Sequence, residues 1–385
     1  MPGHNSTIEM KQAMVVRLFV LASPAHGIPC SPLADQTAYA QNDRAMLSNH
    51  FPERWAEPIM LSRVLVAIAI AAGGMALAFY GFKTELHSDF GASWFGARAM
   101  LEHRDPYLLI GRGKEFDHWP LLYPAPALVF AIPFAALTER AATVLFVGVS
   151  TFLLAFGVTR RSWHLLPLFI TEPYTSSARL GQWSILFAAG LFFSSLTLIS
   201  ICKPQAALPV LVALRKKKSL VAAMAGGAVL MVVSLVLLPH WPVSFYENVR
   251  AAPGMEPPIV RLGGFMVLLA LMRWRRPETW LLIATACMPQ AWGWYGTLAL
   301  FTVPRSFAES VALAGAVAIG GWVGVLTMPA AMSLDSFFAW SGALIVFSVY
   351  LPVTALILLR PNAGGLAQWA VSCEFLSAGI ATEQA

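Results

Sequence analysis

A succession of apolar runs, each interrupted by short polar turns, most constrains what this chain can fold into. The first clear run, Ile59 to Phe82, is longer than the ~20 residues that a helix needs to cross the hydrocarbon of a bilayer. Over the whole chain 57% of the residues are hydrophobic and only 12% are charged. Because backbone groups in lipid must pair within their own segment, such runs predict helices. We expect an all-α polytopic membrane protein with roughly nine to eleven transmembrane helices.

Clusters of basic residues indicate the orientation of these helices. The run Arg215-Lys216-Lys217-Lys218 closes one apolar segment, and Arg273, Arg275 and Arg276 close a later one. Basic loops stay in the cytoplasm, so both turns are expected there. The formal net charge of +6 then reflects topology and contact with membrane lipids. Basic runs interleaved with exposed aromatic residues, as nucleic-acid grooves require, are not evident.

Three parts of unequal character follow from the hydropathy. Residues 1–58 are polar and patternless, and they predict either a disordered cytoplasmic extension or a misassigned start. Residues 59–360 hold the apolar runs, and residues 361–385 form a cytoplasmic tail. The four cysteines form no CxxC pair, so neither a metal site nor a disulfide framework is expected.

The stretch just after the first apolar run is unusually polar and aromatic. Phe90, Trp94, Ala97 and Leu101 recur there at helical spacing, which predicts an amphipathic helix lying in the membrane interface. The helix should end before Asp105-Pro106, because a residue preceding proline is pushed out of helical geometry.

Asp89 is the acid of most interest in this stretch. It follows the first membrane run by a few residues, and a carboxylate held at a membrane surface usually has a partner or a function. The alternatives are a solvated loop residue or a cap for a helix that starts at Phe90.

Several other polar residues interrupt apolar segments. Lys203 lies within an apolar run, where a lysine is costly, and Pro204 breaks the helix beside it. The lysine either binds a phosphate or extends its ammonium group to the interface. Gln182 opens a helix whose N-terminus could face an anion. Tyr107 and Tyr123 suit either sugar contacts or anchoring at the headgroups.

The order of short motifs resembles the family 87 glycosyltransferases, which have the GT-C fold and use polyprenyl-phosphate sugars. The motifs lie between about residues 85 and 300, and each is weak alone. They are Asp89 in the first external loop, Asp105-Pro106-Tyr107, Tyr123-Pro124, Gly181-Gln182 and Lys203-Pro204. More distantly, the chain resembles the mycobacterial polyprenyl-phosphate-mannose-dependent mannosyltransferases of that family.

The resemblance implies an inverting glycosyltransferase of the plasma membrane, with an active site facing outside. It implies Asp89 as general base, and a polyprenyl-phosphate-linked sugar and a glycan or glycolipid acceptor as partners. The residues expected to bind substrate are Asp105, Tyr107, Tyr123, Gln182, Lys203, Gln290 and Tyr295. No cofactor is expected, and dependence on a divalent metal stays open.

Two departures from the family pattern and one competing class matter. The Tyr-Pro-Pro element reads Tyr123-Pro124-Ala125-Pro126, and Gln290 stands where the family often has a histidine, although glutamine cannot titrate near neutral pH. The alternative class is a secondary transporter or a flippase for a lipid-linked sugar. Lys203 beside a proline-broken helix is the feature that favours it.

Overall fold

The computed structural model describes residues 56–84, 87–252, 256–289, 294–328 and 333–362. Within these ranges the chain forms helices and no strand, apart from one isolated bridge between Ile110 and Phe116. The all-α prediction is therefore confirmed for the described chain. Predictions for residues 1–55, for Gln290 and for the tail from residue 363 lie outside it.

The α-helices, in chain order, are α1 Ala56–Thr84, α2 Asp89–Leu101, α3 Pro106–Leu109, α4 Ala125–Ala131, α5 Glu139–Arg161, α6 Glu172–Leu180, α7 Ser184–Ala189, α8 Pro204–Leu214, α9 Lys217–Leu237, α10 Trp241–Ala251, α11 Pro277–Cys287, α12 Phe307–Thr327, α13 Leu334–Ile345 and α14 Leu351–Leu358. The 3₁₀ segments are Ile132–Phe134, Trp163–Ile170, Ser194–Cys202, Pro258–Val260, Gly264–Arg273 and Trp294–Thr302. A π-helical turn, Val346–Tyr350, joins α13 to α14.

Five helical segments of the described chain are long and apolar enough to cross a membrane. They are Met60–Lys83, Glu139–Arg161, Lys217–Leu237, Phe307–Thr327 and Ser336–Leu358. This is the architecture of a polytopic membrane protein. It does not reproduce the predicted count of nine to eleven.

The count differs because several apolar runs fold into short or irregular helices. Three apolar helices have only 10 or 11 residues each: Ala125–Phe134, Pro204–Leu214 and Gly264–Arg273. At 1.5 Å per residue, an 11-residue α-helix covers roughly 16 Å, about half the hydrocarbon thickness. Proline contributes to this shortness, since Pro204 occupies the first position of α8 and Pro209 lies inside it. Hydropathy detects the apolar composition of such a run, but it does not detect that proline interrupts the helix.

Burial separates a central helix from peripheral ones. In the most apolar 18-residue stretch of α5, 61% of the residues are buried inside the protein, against 11% for α9 and 22% for α12. The α9 and α12 surfaces are therefore the apolar faces left for lipid. The central α5 packs against α2, α7 and the 3₁₀ segment Trp163–Ile170.

Helix α2 differs from its prediction as an interfacial helix. Its end at Leu101, before Asp105-Pro106, is as predicted, but nine of its 13 residues are buried. It packs between α4 and α5. The spacing of apolar residues is the same for a helix at an interface and for one inside a bundle. Small residues allow α2 to pack inside the bundle. A Cβ on Gly96, for example, would lie 2.8 Å from Cδ2 of Leu128.

We predict that Gly96→Val destabilises the protein, because the added side chain must displace the fully buried Leu128. Overpacking of this kind costs about 1–3 kcal/mol. The measurement is thermal unfolding of the purified protein in detergent. Gly315→Val in α12 is the matched control, since a Cβ there meets nothing within 4 Å. Equal unfolding temperatures for the two variants would contradict the tight packing of α2.

Candidate functional site

Five of the residues predicted from the sequence come together in one place: Asp89, Tyr123, Gln182, Lys203 and Tyr295. The ammonium group of Lys203 lies at the centre. It donates to Oε1 of Gln182 at 2.8 Å and to the phenol oxygen of Tyr123 at 3.3 Å. Nζ also lies 5.1 Å and 5.7 Å from the ring centroids of Tyr123 and Tyr295. We call these five residues the polar cluster.

The backbone at Lys203 explains how a lysine reaches this position. Lys203 is the N-cap of α8 with non-helical φ/ψ, and Pro204 then starts the helix without needing an N–H partner. The residue is 8% exposed. No carboxylate of the described chain lies within 4 Å of its ammonium group. A buried cation held only by an amide and a phenol is suited to accept an anion.

Asp89 supplies the negative charge of the polar cluster. It is the first residue of α2, and Ser88 is the cap, so the alternative role of Asp89 as the helix cap does not apply. Its carboxylate is 24% exposed and interacts electrostatically with Lys203, Tyr123 and Tyr295. Asp89 therefore does not serve as the helix cap, and its negative charge acts on the ammonium group of Lys203 without a direct ion pair.

The start of α5 fixes the backbone that carries Asp89. The Ser88 N–H donates to Oε1 of Glu139 at 3.2 Å, and the hydroxyls of Ser88 and Thr143 are 2.7 Å apart. Oγ of Ser88 also accepts from the N–H of Gly91 at 2.8 Å. His87 adds a contact of 2.9 Å to the second oxygen of Glu139. Four local contacts thus position one catalytic candidate.

An aromatic stack holds Asp89 and Gln182 near each other. Phe90 and Trp183 directly follow these residues and are fully buried. Their rings pack on Phe146 of α5, with centroid separations of 4.0 Å and 5.3 Å. Because both polar residues are next to a stacked ring, their separation is set by core packing.

Gly181 allows Gln182 to turn into the cluster. It ends α6 with φ of 65°, a left-handed conformation that favours glycine. A Cβ there would lie 2.8 Å from Cγ2 of Thr143. Gln182 is 1% exposed, and its side chain also hydrogen-bonds the Tyr295 phenol. The Gly181-Gln182 pair therefore has both a conformational and a bonding role.

The tyrosines of the site are neutral donors. Burial, with a smaller contribution from Asp89, raises the pKa of Tyr123 well above its ordinary value. Burial also raises the pKa of Tyr107. Neither phenol ionises near neutral pH, so each can donate a hydrogen bond.

Asp105 and Tyr107, although predicted to bind substrate, are not in the polar cluster. Oδ1 of Asp105 caps α3 by accepting from the Tyr107 N–H at 2.9 Å, and Oδ2 accepts from Ser244 at 3.0 Å. The Tyr107 hydroxyl donates to the backbone oxygen of Tyr123 at 2.9 Å. Both residues support the loop beneath the site.

His118 was missed by the sequence analysis. Its Nε2 lies 3.6 Å from Oδ1 of Asp89, and its side chain is 13% exposed. The only signal was its place just ahead of Trp119-Pro120, since it is one of three histidines between residues 83 and 120 and has no motif spacing to Asp89. Gln290, the position where a histidine was sought, lies outside the described residues.

A small cleft lies beside the polar cluster. The cleft is partly open, and the space of about 280 Å³ around it includes open solvent. Its lining residues are Ser184, Phe187, Ala188, Gln205, Ala206, Pro209, Thr285, Gly296 and Ala299. Ser184, Gln205 and Gly296 each lie within two residues of a cluster member, so the cleft adjoins the site.

Metal ligands are sparse around Asp89. Among the described residues there is no group of three or more His, Cys, Asp or Glu placed to hold a metal ion. The donor set nearest Asp89 is one carboxylate and the imidazole of His118.

Comparison with known proteins adds no assignment. No protein-family model, no curated protein and no solved structure matches this chain. The family resemblance therefore rests on the motifs alone.

We predict that Lys203→Met stabilises the protein, because it replaces a buried ammonium group that lacks a carboxylate partner by an apolar side chain of similar length. The expected gain is about 1 kcal/mol, equivalent to roughly 2–4 °C in Tm. The measurement is thermal unfolding in detergent. Lys218→Met, at an exposed position, is the control and should leave Tm unchanged. A fall in Tm for Lys203→Met would mean that the lysine serves the fold and was not placed for a ligand.

Proposed function

We propose that this protein is a membrane glycosyltransferase of the GT-C type that transfers one sugar from a polyprenyl phosphate to a lipid or glycan acceptor. The resemblance favours a hexose or pentose, with mannose first. One observation carries the proposal: beside a cleft, a partly exposed carboxylate, that of Asp89, lies within electrostatic range of the buried ammonium group of Lys203, which no carboxylate of the described chain pairs with directly.

The chemistry of the two groups fits a single displacement. Asp89 takes the proton of the acceptor hydroxyl while the acceptor oxygen forms a bond to the anomeric carbon of the sugar. The bond between that carbon and the phosphate oxygen breaks, and the phosphate leaves with the electron pair. The anomeric configuration inverts because attack and departure occur on opposite faces. One carboxylate is enough, since the leaving phosphate needs no proton.

The other cluster residues have roles that follow from their contacts. Lys203 and the neutral phenol of Tyr123 stabilise charge on the departing phosphate. Gln182 holds the ammonium group of Lys203 in place. His118 keeps the carboxylate of Asp89 oriented toward the acceptor. The positive charge that a metal would supply is thus available from Lys203.

The distribution of charge supports an outward-facing site. Glu139, at the start of α5, supports Ser88 beside Asp89, and the 23 residues of α5 extend roughly 35 Å to Arg160 and Arg161. His164, just beyond, contacts the backbone oxygen of Pro304, next to Arg305. Basic loops face the cytoplasm, so the polar cluster faces the outside of a plasma membrane.

A flippase or secondary transporter is the second candidate, and one observation favours it. Lys203 is an ionisable residue at a break between short helices, the 3₁₀ segment Ser194–Cys202 and α8. Transporters place substrate-binding residues at such breaks.

We predict that Asp89→Asn abolishes sugar transfer, lowering the rate by roughly 10²–10⁴-fold, because the amide cannot accept the acceptor proton. The assay uses membranes containing the protein and radiolabelled polyprenyl-phosphate sugars. Asp117→Asn, at an exposed position in the same loop, is the matched control and should retain activity.

Two outcomes distinguish the candidates. Equal transfer by the wild type and Asp89→Asn would remove Asp89 as the base. Movement of intact lipid-linked sugar across the bilayer with no new glycosidic bond would favour the flippase.

A further inference from the structure

The end of the molecule remote from the polar cluster carries a network of arginines around two glutamates. Nη2 of Arg305 lies 2.8 Å from Oε1 of Glu278, and Nη1 atoms of Arg360 and Arg276 lie 3.6 Å and 3.9 Å from the same oxygen. Arg360 also pairs with Glu309 at 2.5 Å. Three guanidinium groups therefore share one carboxylate oxygen.

Backbone carbonyls complete the network and hold it rigid. Arg273 donates to the backbone oxygens of Leu358 and Arg360, and Arg276 donates to that of Pro361. Arg276 and Arg360 are each 7% exposed. These contacts tie the start of α11 to the end of α14.

Positive charge in this network exceeds negative charge. Three arginines (276, 305 and 360) lie within 4 Å of the carboxylates of Glu278 and Glu309, and Arg273 adds a fourth positive charge that is bonded to backbone oxygens. Burial, and then the guanidinium group of Arg305, lower the pKa of Arg276. Nε of Arg360 is buried and has no hydrogen-bond partner in the described chain. The site therefore has both uncompensated charge and an unused buried donor.

A second basic loop reaches the same place. The guanidinium of Arg215 lies 5.0 Å from the ring centroid of Trp280, whose indole N–H donates to the backbone oxygen of Trp274. Arg275 lies 5.3 Å from the Trp274 ring. The exposed residues Lys216–Lys218 follow Arg215 directly. We call residues 215–218 together with the arginines at 273, 275, 276, 305 and 360 the basic end.

Apolar surface begins immediately beside these cations. Helix α9 starts at Lys217, and Leu220 and Val221 in its first turns are 55% and 56% exposed. Phe307, the first residue of α12 and two residues after Arg305, is 62% exposed. Trp274, which follows Arg273, is 49% exposed. A free phosphate or a nucleic acid would use only the cations. A molecule that carries both a phosphate and acyl chains would use the whole surface.

We propose that the basic end is a binding site for anionic phospholipids. The phosphate is bound by the exposed lysines and by the arginine network, and the acyl chains lie along the exposed faces of α9 and α12. Arginine forks suit bidentate contacts with phosphate oxygens, and indole rings such as Trp274 suit the headgroup boundary. The proposal depends on the membrane location of the chain and is independent of the transfer reaction.

The test uses the purified full chain in a nonionic detergent, titrated with phosphatidylglycerol, with phosphatidylcholine or with inorganic phosphate. Native mass spectrometry counts bound lipids, and thermal unfolding reports stabilisation. We expect phosphatidylglycerol to bind and to raise Tm, and phosphatidylcholine and inorganic phosphate to do neither. Because the contact is electrostatic, 0.5 M salt should weaken it in the wild type.

The matched variants place the site on the surface. Lys216→Gln, Lys217→Gln and Lys218→Gln combined should reduce phosphatidylglycerol affinity at least tenfold. The control combines Lys83→Gln, Arg98→Gln and Arg112→Gln at the other end, and it should bind like the wild type. Equal stabilisation by phosphatidylcholine, equal stabilisation by inorganic phosphate, or unchanged affinity in the triple lysine variant would each overturn the proposal.

Discussion

The burial of one ammonium group governs the arrangement of the candidate site. Lys203 is almost fully covered, yet its ammonium group bonds only to an amide and a phenol, and the carboxylate of Asp89 acts on it from beyond ion-pair distance. A charge in such a setting is costly unless its hydrogen bonds are satisfied. The helix breaks at Gly181 and Pro204 position Gln182 and Lys203. The side-chain oxygens of Gln182 and Tyr123 then accept the hydrogen bonds of the ammonium group. The breaks that interrupt the helices therefore also create the polar cluster.

Sequence reasoning reached the class of fold but not its internal detail. Composition predicts an all-α membrane protein, because apolar runs have few other stable forms in lipid. Hydropathy overestimates the number of spanning helices, since it cannot separate an 11-residue helix such as α8 from part of a longer one. It also misplaced α2, where glycines permit close packing inside the bundle. Periodicity identifies the apolar face of a helix, but it does not show whether the membrane interface or other helices cover that face.

The polar cluster was proposed from motif order, and its geometry could not be derived from spacing. Asp89 and Lys203 are over a hundred residues apart, and the ring stack of Phe90, Phe146 and Trp183 decides their approach. The same motif order placed Asp105 among the substrate-binding residues, whereas in the structure its carboxylate accepts hydrogen bonds from the Tyr107 N–H and from Ser244. His118 could not be singled out from the sequence, because it is one of three histidines between residues 83 and 120 and has no fixed spacing to Asp89.

Helix α5 runs from the candidate site toward the loop that contains Arg305, and its length makes the geometry of the site depend on the bilayer. Its first residue, Glu139, accepts a hydrogen bond from the backbone N–H of Ser88, while its last turn carries Arg160 and Arg161. A helix of fixed length responds to a thinner or thicker bilayer by tilting. Because α5 is bonded to Ser88, tilting α5 moves the neighbouring carboxylate of Asp89 as well. Under the proposed function, the depth of Asp89 in the headgroup layer is therefore coupled to the thickness of the host membrane.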